Sequence, residues 1–456
     1  MTFTTETDAV TYIFTSLAAI NWRGRGLDED TRDVSPTRDL LALNHLPAKP
    51  REYAIVTGSK GKGSVTTLTG RILREYGHIV GTITSPHLVS YRERIRVNGR
   101  AIPLADFLRL LDELKPSIDQ IAASLPNHKY LSPQGIFLAL ALRWFDENDC
   151  DVAVVEVGRG GRFDDNALLP NHLGLFTPIV LEHARYLGPT TERIAWHKVG
   201  VLKSGGHGLS LPQAPNVRAT LESESAVLGA TFHELTSDQM AAYVRDWSNG
   251  VVMGSHGLEI NLPFYGRYEI ENASLAIEAA DILHRRVSGK SDPEHLNISK
   301  RGLEQAVWPG RLEKLADHPA IYIDGAVNIL SLRSFLDSIR ARLTPPIVII
   351  SAVPTDRDVK SVYAMLAEVA DQWIITRTGR NVTINFPDEA TALSAARAAL
   401  SAAGRADIPL AYCESIAEAI PLSQAWAGTG GTVLMAVAQP AIGDAMEHFG
   451  REFEMV

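Results

Sequence analysis

A short glycine-rich segment, Val56-Thr57-Gly58-Ser59-Lys60-Gly61-Lys62-Gly63-Ser64, constrains this chain more than any other stretch. Its glycines let the backbone turn several N–H groups towards one anion, which side chains with a Cβ obstruct. Lys62 adds a point charge, and the Ser64 hydroxyl is a donor set suited to Mg²⁺. The apolar Ala54–Val56 precedes the loop and the helix-compatible Val65–Tyr76 follows it. Strand, loop and helix in that order describe a phosphate loop whose helix N-terminus faces the anion. Gly58, Ser59, Lys60, Gly61, Lys62, Gly63 and Ser64 are therefore the candidate polyphosphate site. The Gly-x-x-Gly-Lys spacing is two residues shorter than the usual form.

The rest of the chain alternates in the same way. Val152–Val155, Gly174–Phe176 and Ile179–Leu181 read as short buried strands, and Pro133–Asn148 and Ala273–Arg286 as helices. Such alternation implies a mostly parallel sheet with helices on both faces. A second unit begins near Gly310. Its expected strands are Ala320–Ile323, Pro346–Ala352, Gln372–Thr376, Leu410–Tyr412 and Thr432–Val437. Val359–Ala370, Ala390–Ala403 and Ile416–Trp426 are the helices between them. With 456 residues, the chain divides into a phosphate-loop domain over 1–300 and a smaller doubly wound, Rossmann-like α/β domain over 301–456.

The net charge of -9 argues against a nucleic-acid surface, because duplex affinity is built on Lys and Arg. Cys150 and Cys413, the two cysteines, give no disulfide framework or cysteine metal site. The N-terminus lacks a secretion pattern, and no apolar run has the length of a membrane span. The expectation is a cytoplasmic protein without a membrane partner.

Glu156 ends an apolar strand and runs into Gly158-Arg159-Gly160-Gly161. Carboxylates at the carboxyl edge of an open α/β sheet face its ligands, so Glu156 reads as a metal ligand or base. Glu182-His183 repeats the pattern after Thr177–Leu181. Lys198, in Trp196-His197-Lys198-Val199, reads on composition as a solvated helix lysine, and Pro309-Gly310-Arg311 and Asp324-Gly325-Ala326 read as turns.

In this order, and with Thr84-Ser85-Pro86-His87-Leu88 leading to Glu93-Arg94-Ile95 and Asn98-Gly99, the segments resemble the folylpolyglutamate synthase and dihydrofolate synthase branch of the Mur ligase superfamily. The match runs from about Leu40 to Asp358 and more weakly beyond. The resemblance implies a Mur-ligase-like fold and an ATP- and Mg²⁺-dependent ligase. Such an enzyme phosphorylates an acid and lets the amine of glutamate displace the phosphate. It implies that Lys62 holds the β- and γ-phosphates. It also implies that Ser64, Ser85, Glu156, His183 and a carbamylated Lys198 surround magnesium, with Lys62, Lys198 and His183 as the catalytic set. Asn272, Arg311 and Asp324 match nucleotide contacts, and Ser132, Gln134, Phe163 and Asp164 lie at acceptor-facing positions. The implied partners are a small acid and an amino acid, and the implied state is a monomer.

The chain departs from the branch at several positions. Val327 stands where the branch has a phosphate-reaching histidine, Glu182 replaces an aspartate, and Ala438-Gln439 replaces Gly-Ser. Ser132-Pro133-Gln134-Gly135 and Phe163-Asp164-Asp165-Asn166-Ala167 are altered next to the acceptor. Three readings stay open: glutamate addition to a folate-type acid, the same chemistry on another acid, and a non-catalytic nucleotide-binding paralogue. A phosphate-loop kinase or hydrolase would leave Lys198 and the Ser-Pro-His-Leu segment without a role.

Overall fold

The computed structural model describes residues 2–381 and 384–456. The first part of the chain contributes α1 (Glu6–Ala18), α2 (Asp28–Thr31), α3 (Ser35–Leu43) and β1 (Glu52–Thr57). It continues through α4 (Lys62–Glu75), β2 (Val80–Ile83), β3 (Ile95–Val97), β4 (Arg100–Ala101), α5 (Leu104–Ser124) and α6 (Pro133–Glu147). Then come β5 (Val152–Glu156), β6 (Leu173–Phe176), α7 (Ala184–Leu187), α8 (Thr191–Val199), β7 (His207–Ser210), α9 (Pro215–Val227) and β8 (Thr231–Glu234). These strands form one sheet in the order β4-β3-β2-β5-β1-β6-β7-β8. From β2 to β8 every pairing is parallel, and only the β2–β3 and β3–β4 pairings are antiparallel.

The alternation along the central strands explains the two layers of helices. Tyr53 and Ile55 of β1 join Ala153 and Val155 of β5 in one core, under α5 and α6. Ala54 and Val56 join Val152 and Val154 in the other, against α4. A strand buried on both faces has no polar side to show, which is why these runs read as continuously apolar.

A three-stranded antiparallel sheet follows: β9 (Ala242–Trp247), β10 (Gly250–Ser255) and β11 (Leu258–Leu262). Then α10 (Glu269–Ser288) packs along α4, and α11 (His295–Glu304) packs on α4 and β11. Leu303 and Ala306 still belong to the core around Ile72.

The remaining elements are β12 (Glu313–Asp317), β13 (Ala320–Asp324), α12 (Ile329–Ile339), β14 (Ile347–Ala352), α13 (Val359–Ala367) and β15 (Gln372–Ile375). They end with α14 (Glu389–Ala402), β16 (Leu410–Tyr412), α15 (Ile416–Ala427), β17 (Thr432–Val437) and α16 (Gln439–His448). The sheet order is β12-β13-β17-β14-β15-β16, parallel except at β12. Its two faces carry separate cores, Ile349 and Leu434 in one, Val348 and Val433 in the other.

One expected strand is absent. Ile179–Leu181 is loop, because its backbone is satisfied by other groups: Ile179 N–H donates to Gln213 Oε1 at 3.0 Å and Val180 N–H to Ser59 Oγ at 3.1 Å. An apolar run of three residues just past the end of β6 has no neighbouring strand to pair with.

Candidate active site

The phosphate loop leaves β1 at the carboxyl edge of the sheet and enters α4. Gly61, at φ +84°, is the residue before the first helical turn, and a Cβ there would lie 2.4 Å from Asn272 Oδ1. Gly58, at φ +137°, is pressed against Thr177 in the same way. Both glycines are required, one by its left-handed backbone and the α10 asparagine, the other by the neighbouring strand end.

Two lysines converge on one carbonyl. Lys62 Nζ donates to Gly58 O at 3.1 Å, and Lys198 Nζ, from α8, donates to the same oxygen at 2.6 Å. Lys198 is 1% exposed, so the reading of a solvated helix lysine is wrong. Burial, with the adjoining Lys62 charge, brings its ammonium down to about 7, against the pull of Glu182. Glu182 Oε1 lies 3.6 Å from Lys198 Nζ and Oε2 lies 3.7 Å from Lys60 Nζ. The carboxylate therefore spans two cations of the site. Burial also lowers the Lys60 ammonium from its ordinary value. Ser59 N–H donates to Pro178 O at 2.8 Å, joining the loop to the segment that carries Glu182 and His183. His183 is exposed and immediately precedes α7, with φ +50°.

Glu156, at the end of β5, is 4% exposed. Its Oε2 accepts the Ser85 N–H at 2.8 Å, and burial raises its carboxyl above the ordinary range, opposed by Lys62 and Arg311. The Ser85 segment is built around Glu93, whose carboxylate accepts the N–H groups of Leu88, Val89 and Ser90 at 3.1, 2.7 and 2.7 Å. The Ser-Pro-His-Leu to Glu-Arg-Ile spacing is thus a loop closed on its own glutamate, and it delivers Ser85 to Glu156.

Glu269 is a neighbour of the phosphate loop that the sequence reading did not single out. Buried at the start of α10, it accepts the Ser64 hydroxyl at 2.8 Å and Asn272 Nδ2 at 2.9 Å. The signal was its place three residues before Asn272 on one helix face.

The second domain reaches the site through Asp324, at the end of β13. Asp324 Oδ2 accepts the Tyr268 hydroxyl at 2.5 Å and the Leu312 N–H at 2.8 Å. Arg311 lies over the Trp308 ring at 5.6 Å. Val327 is buried in the second domain's core.

The acceptor-facing candidates form a separate cluster. The Asp164 carboxylate accepts Gly158, Arg159 and Asn166 N–H groups at 3.1, 3.3 and 3.1 Å, and Arg32 stands 3.8 Å away. Arg32 also pairs with Asp165 at 2.9 Å, and Thr37 Oγ1 donates to Asp165 at 2.6 Å. Gly135, just after Gln134, is packed on Thr37. Ser132 is buried immediately before α6. Phe163 lies edge-on to His197 with ring centroids 5.6 Å apart, on the helix that carries Lys198.

These residues fit Mg²⁺ with a polyphosphate. Glu156 offers a desolvated carboxylate, and Ser64, in the first turn of α4, a hydroxyl oxygen. Among the described residues no three His, Cys, Asp or Glu side chains could hold a metal by themselves. Mg²⁺ is ordinarily held by one or two carboxylates, with waters and phosphates completing its shell.

Comparison with known proteins places the chain in a family. The Mur ligase middle domain matches residues 56–280, and the Mur ligase glutamate ligase domain matches residues 310–438. The dihydrofolate synthase/folylpolyglutamate synthase of Bacillus subtilis (strain 168) is 31% identical over 315 residues, covering 67% of this chain and 71% of that protein. The folylpolyglutamate synthase of Lacticaseibacillus casei is 27% identical over 339 residues, covering 73% and 77%. The fold is that of the Mycobacterium tuberculosis folylpolyglutamate synthase complexed with ADP, with TM-score 0.83 at 23% identity over 98% of this chain and 100% of the other.

Proposed function

Because the chain belongs to the Mur ligase family, in its folylpolyglutamate synthase and dihydrofolate synthase branch, we propose that it is an ATP-dependent, ADP-forming ligase. It adds L-glutamate to a folate- or pteroate-type acid. The observation that carries this reading is the convergence of Lys62 and Lys198 on Gly58 O beside the desolvated Glu156. Phosphoryl transfer between two anions needs positioning and charge neutralisation, and this arrangement supplies both.

The loop N–H groups and Lys62 hold the β- and γ-phosphates. Ser64, Ser85, Glu156, His183 and Lys198 are the residues that would surround Mg²⁺, which neutralises the phosphate oxygens when bound. An oxygen of the acceptor carboxylate attacks the γ-phosphorus and ADP leaves, giving an acyl phosphate. The amine nitrogen then attacks the acyl carbon, phosphate leaves and the nitrogen loses a proton. Lys198, with its ammonium brought to about 7, has a large neutral fraction at neutral pH. That is the form that can take up CO₂ as a carbamate. Asn272, Arg311 and Asp324 would meet the nucleotide between the domains, whose division we place in the segment after Ala306.

One observation favours another acid as acceptor. Asp164 is engaged by three backbone N–H groups and Arg32, leaving little of its carboxylate to read an acceptor's head group. The deciding experiment is phosphate release from ATP with L-glutamate and one acceptor at a time, beginning with dihydropteroate and tetrahydrofolate. A product heavier by one glutamyl unit supports the folate reading. A product only with another acid moves the assignment to that acid, and no acid-dependent release removes the ligase.

We take the enzyme to act as a monomer in the cytoplasm. Among the described residues no helix is long and apolar enough to cross a membrane.

A further inference from the structure

Trp308 stands where the chain enters the second domain, and its indole Nε1–H is buried without a hydrogen-bond partner. The ring edge that carries this nitrogen faces the phosphate loop. An ideal Cβ on Gly63 would lie 2.9 Å from Trp308 Cζ2 and 3.6 Å from Cε2, the atom bonded to Nε1. The same point is 3.6 Å from Glu156 Oε2. The close approach of the indole, rather than a left-handed backbone, is what keeps residue 63 a glycine.

A cation and a carboxylate both stand near the ring. Arg311 lies over it at 5.6 Å, and the guanidinium's own hydrogen bond is a long one of 3.3 Å to Gly310 O. Trp308, Arg311 and Thr84 line one cavity between the domains. The neighbouring carboxylate oxygen, Glu156 Oε2, already accepts the Ser85 N–H. A buried tryptophan N–H ordinarily finds an acceptor, and leaving it unmet is costly.

We propose that Trp308 is a substrate-contacting residue whose indole N–H donates to an anionic oxygen of the ATP polyphosphate. The proposal rests on the phosphate loop binding ATP. It adds a donor from the start of the second domain, so the triphosphate is held from both sides of the domain junction. Arg311 supplies the charge behind that donor.

The test is calorimetric binding to the full chain with Mg²⁺, comparing AMP with the non-hydrolysable β,γ-methylene analogue of ATP. Trp308→Phe keeps an aromatic ring and removes the donor. A hydrogen bond to a charged oxygen predicts roughly ten- to hundred-fold weaker binding of the analogue, with AMP affinity unchanged. Equal losses for both nucleotides would show that Trp308 only packs, and no loss for either would show that the N–H is not used. Both results overturn the proposal. Should Trp308→Phe fail to fold, benzothienylalanine at 308 keeps the shape of tryptophan without the N–H and is judged by the same ratio. Failure of the unaltered chain to bind the analogue would instead overturn the ATP reading itself, and this proposal with it.

Discussion

Lys198 Nζ stands 2.6 Å from the Gly58 carbonyl, so a helix that follows the loop by more than a hundred residues is fastened to the loop's first glycine. Lys62 shares that oxygen at 3.1 Å. Replacing Lys62 by Ala removes the main cation for phosphoryl transfer, and turnover should fall to background in an ADP-release assay. Lys198→Ala should also lose turnover, but short-chain carboxylates should restore part of it by standing in for the carbamate. Absence of rescue at high formate or acetate would count against a carbamate at Lys198.

Glu269 holds Ser64 with one oxygen and Asn272 with the other. Glu269→Ala leaves two buried donors without an acceptor, at about 1–3 kcal/mol each. The urea midpoint of the first domain should drop, and Mg-ADP should recover less of it than in the unaltered chain. Glu269→Gln should be milder, because the amide oxygen still accepts from Asn272 and the Ser64 hydroxyl can turn to accept. A Gln variant as damaged as Ala would show that the negative charge, not the hydrogen bonds, matters.

His78 Nε2 lies 2.9 Å from His284 Nδ1, and Tyr76 stacks on His284 with centroids 4.1 Å apart. Burial, and then the neighbouring His284, holds His78 below its ordinary 6.5, with Asp151 opposing. The unfolded chain then binds the proton first as pH falls. This site's contribution to stability is complete above the unfolded value and is lost below it, towards the folded pKa. Urea unfolding at pH 7.5 and pH 5 should show that loss, and His78→Asn should show a smaller one. Equal losses in the two proteins would remove His78 from the pH response.

The first domain's centre was legible because both faces of β1 and β5 are buried, which writes itself as unbroken apolar runs such as Val152–Val155. The loop was legible because Gly58 and Gly61 are fixed by backbone and close contact. The second domain's five parallel strands could be read for the same reason as β1 and β5. The antiparallel β9–β11 sheet was not read: Ala242–Trp247 is mostly exposed, and its short apolar stretch breaks off at Arg245. Ile179–Leu181 misled because a loop held by Ser59 and Gln213 carries the composition of a strand. Glu269 escaped because its two partners are distant in sequence or ordinary in type. Burial of Lys198 is set by what packs around α8, which composition does not encode.

Gly443, in α16, meets the active-site segment of the first domain. A Cβ there would lie 2.0 Å from Leu88 O and 3.1 Å from Arg380 Nε. Leu88 is itself buried in the second domain's core, beside Ile442 and Met446. Glu454 O accepts the Ala101 N–H at 2.8 Å, so the chain's final segment also binds the first domain. The Ser85–Arg96 segment is therefore held by both domains, and Ser85 delivers its N–H to Glu156 from within it. Gly443→Ala must push α16 and this segment apart, since a backbone oxygen cannot turn aside, and overpacking of this kind costs about 1–3 kcal/mol. The expected result is a fall in kcat with little change in the KM for ATP, together with faster hydrogen exchange over residues 85–96. Gly430→Ala, at a position with nothing within 4 Å, should change neither. Unchanged kcat and exchange in Gly443→Ala would show that the second domain does not position Ser85.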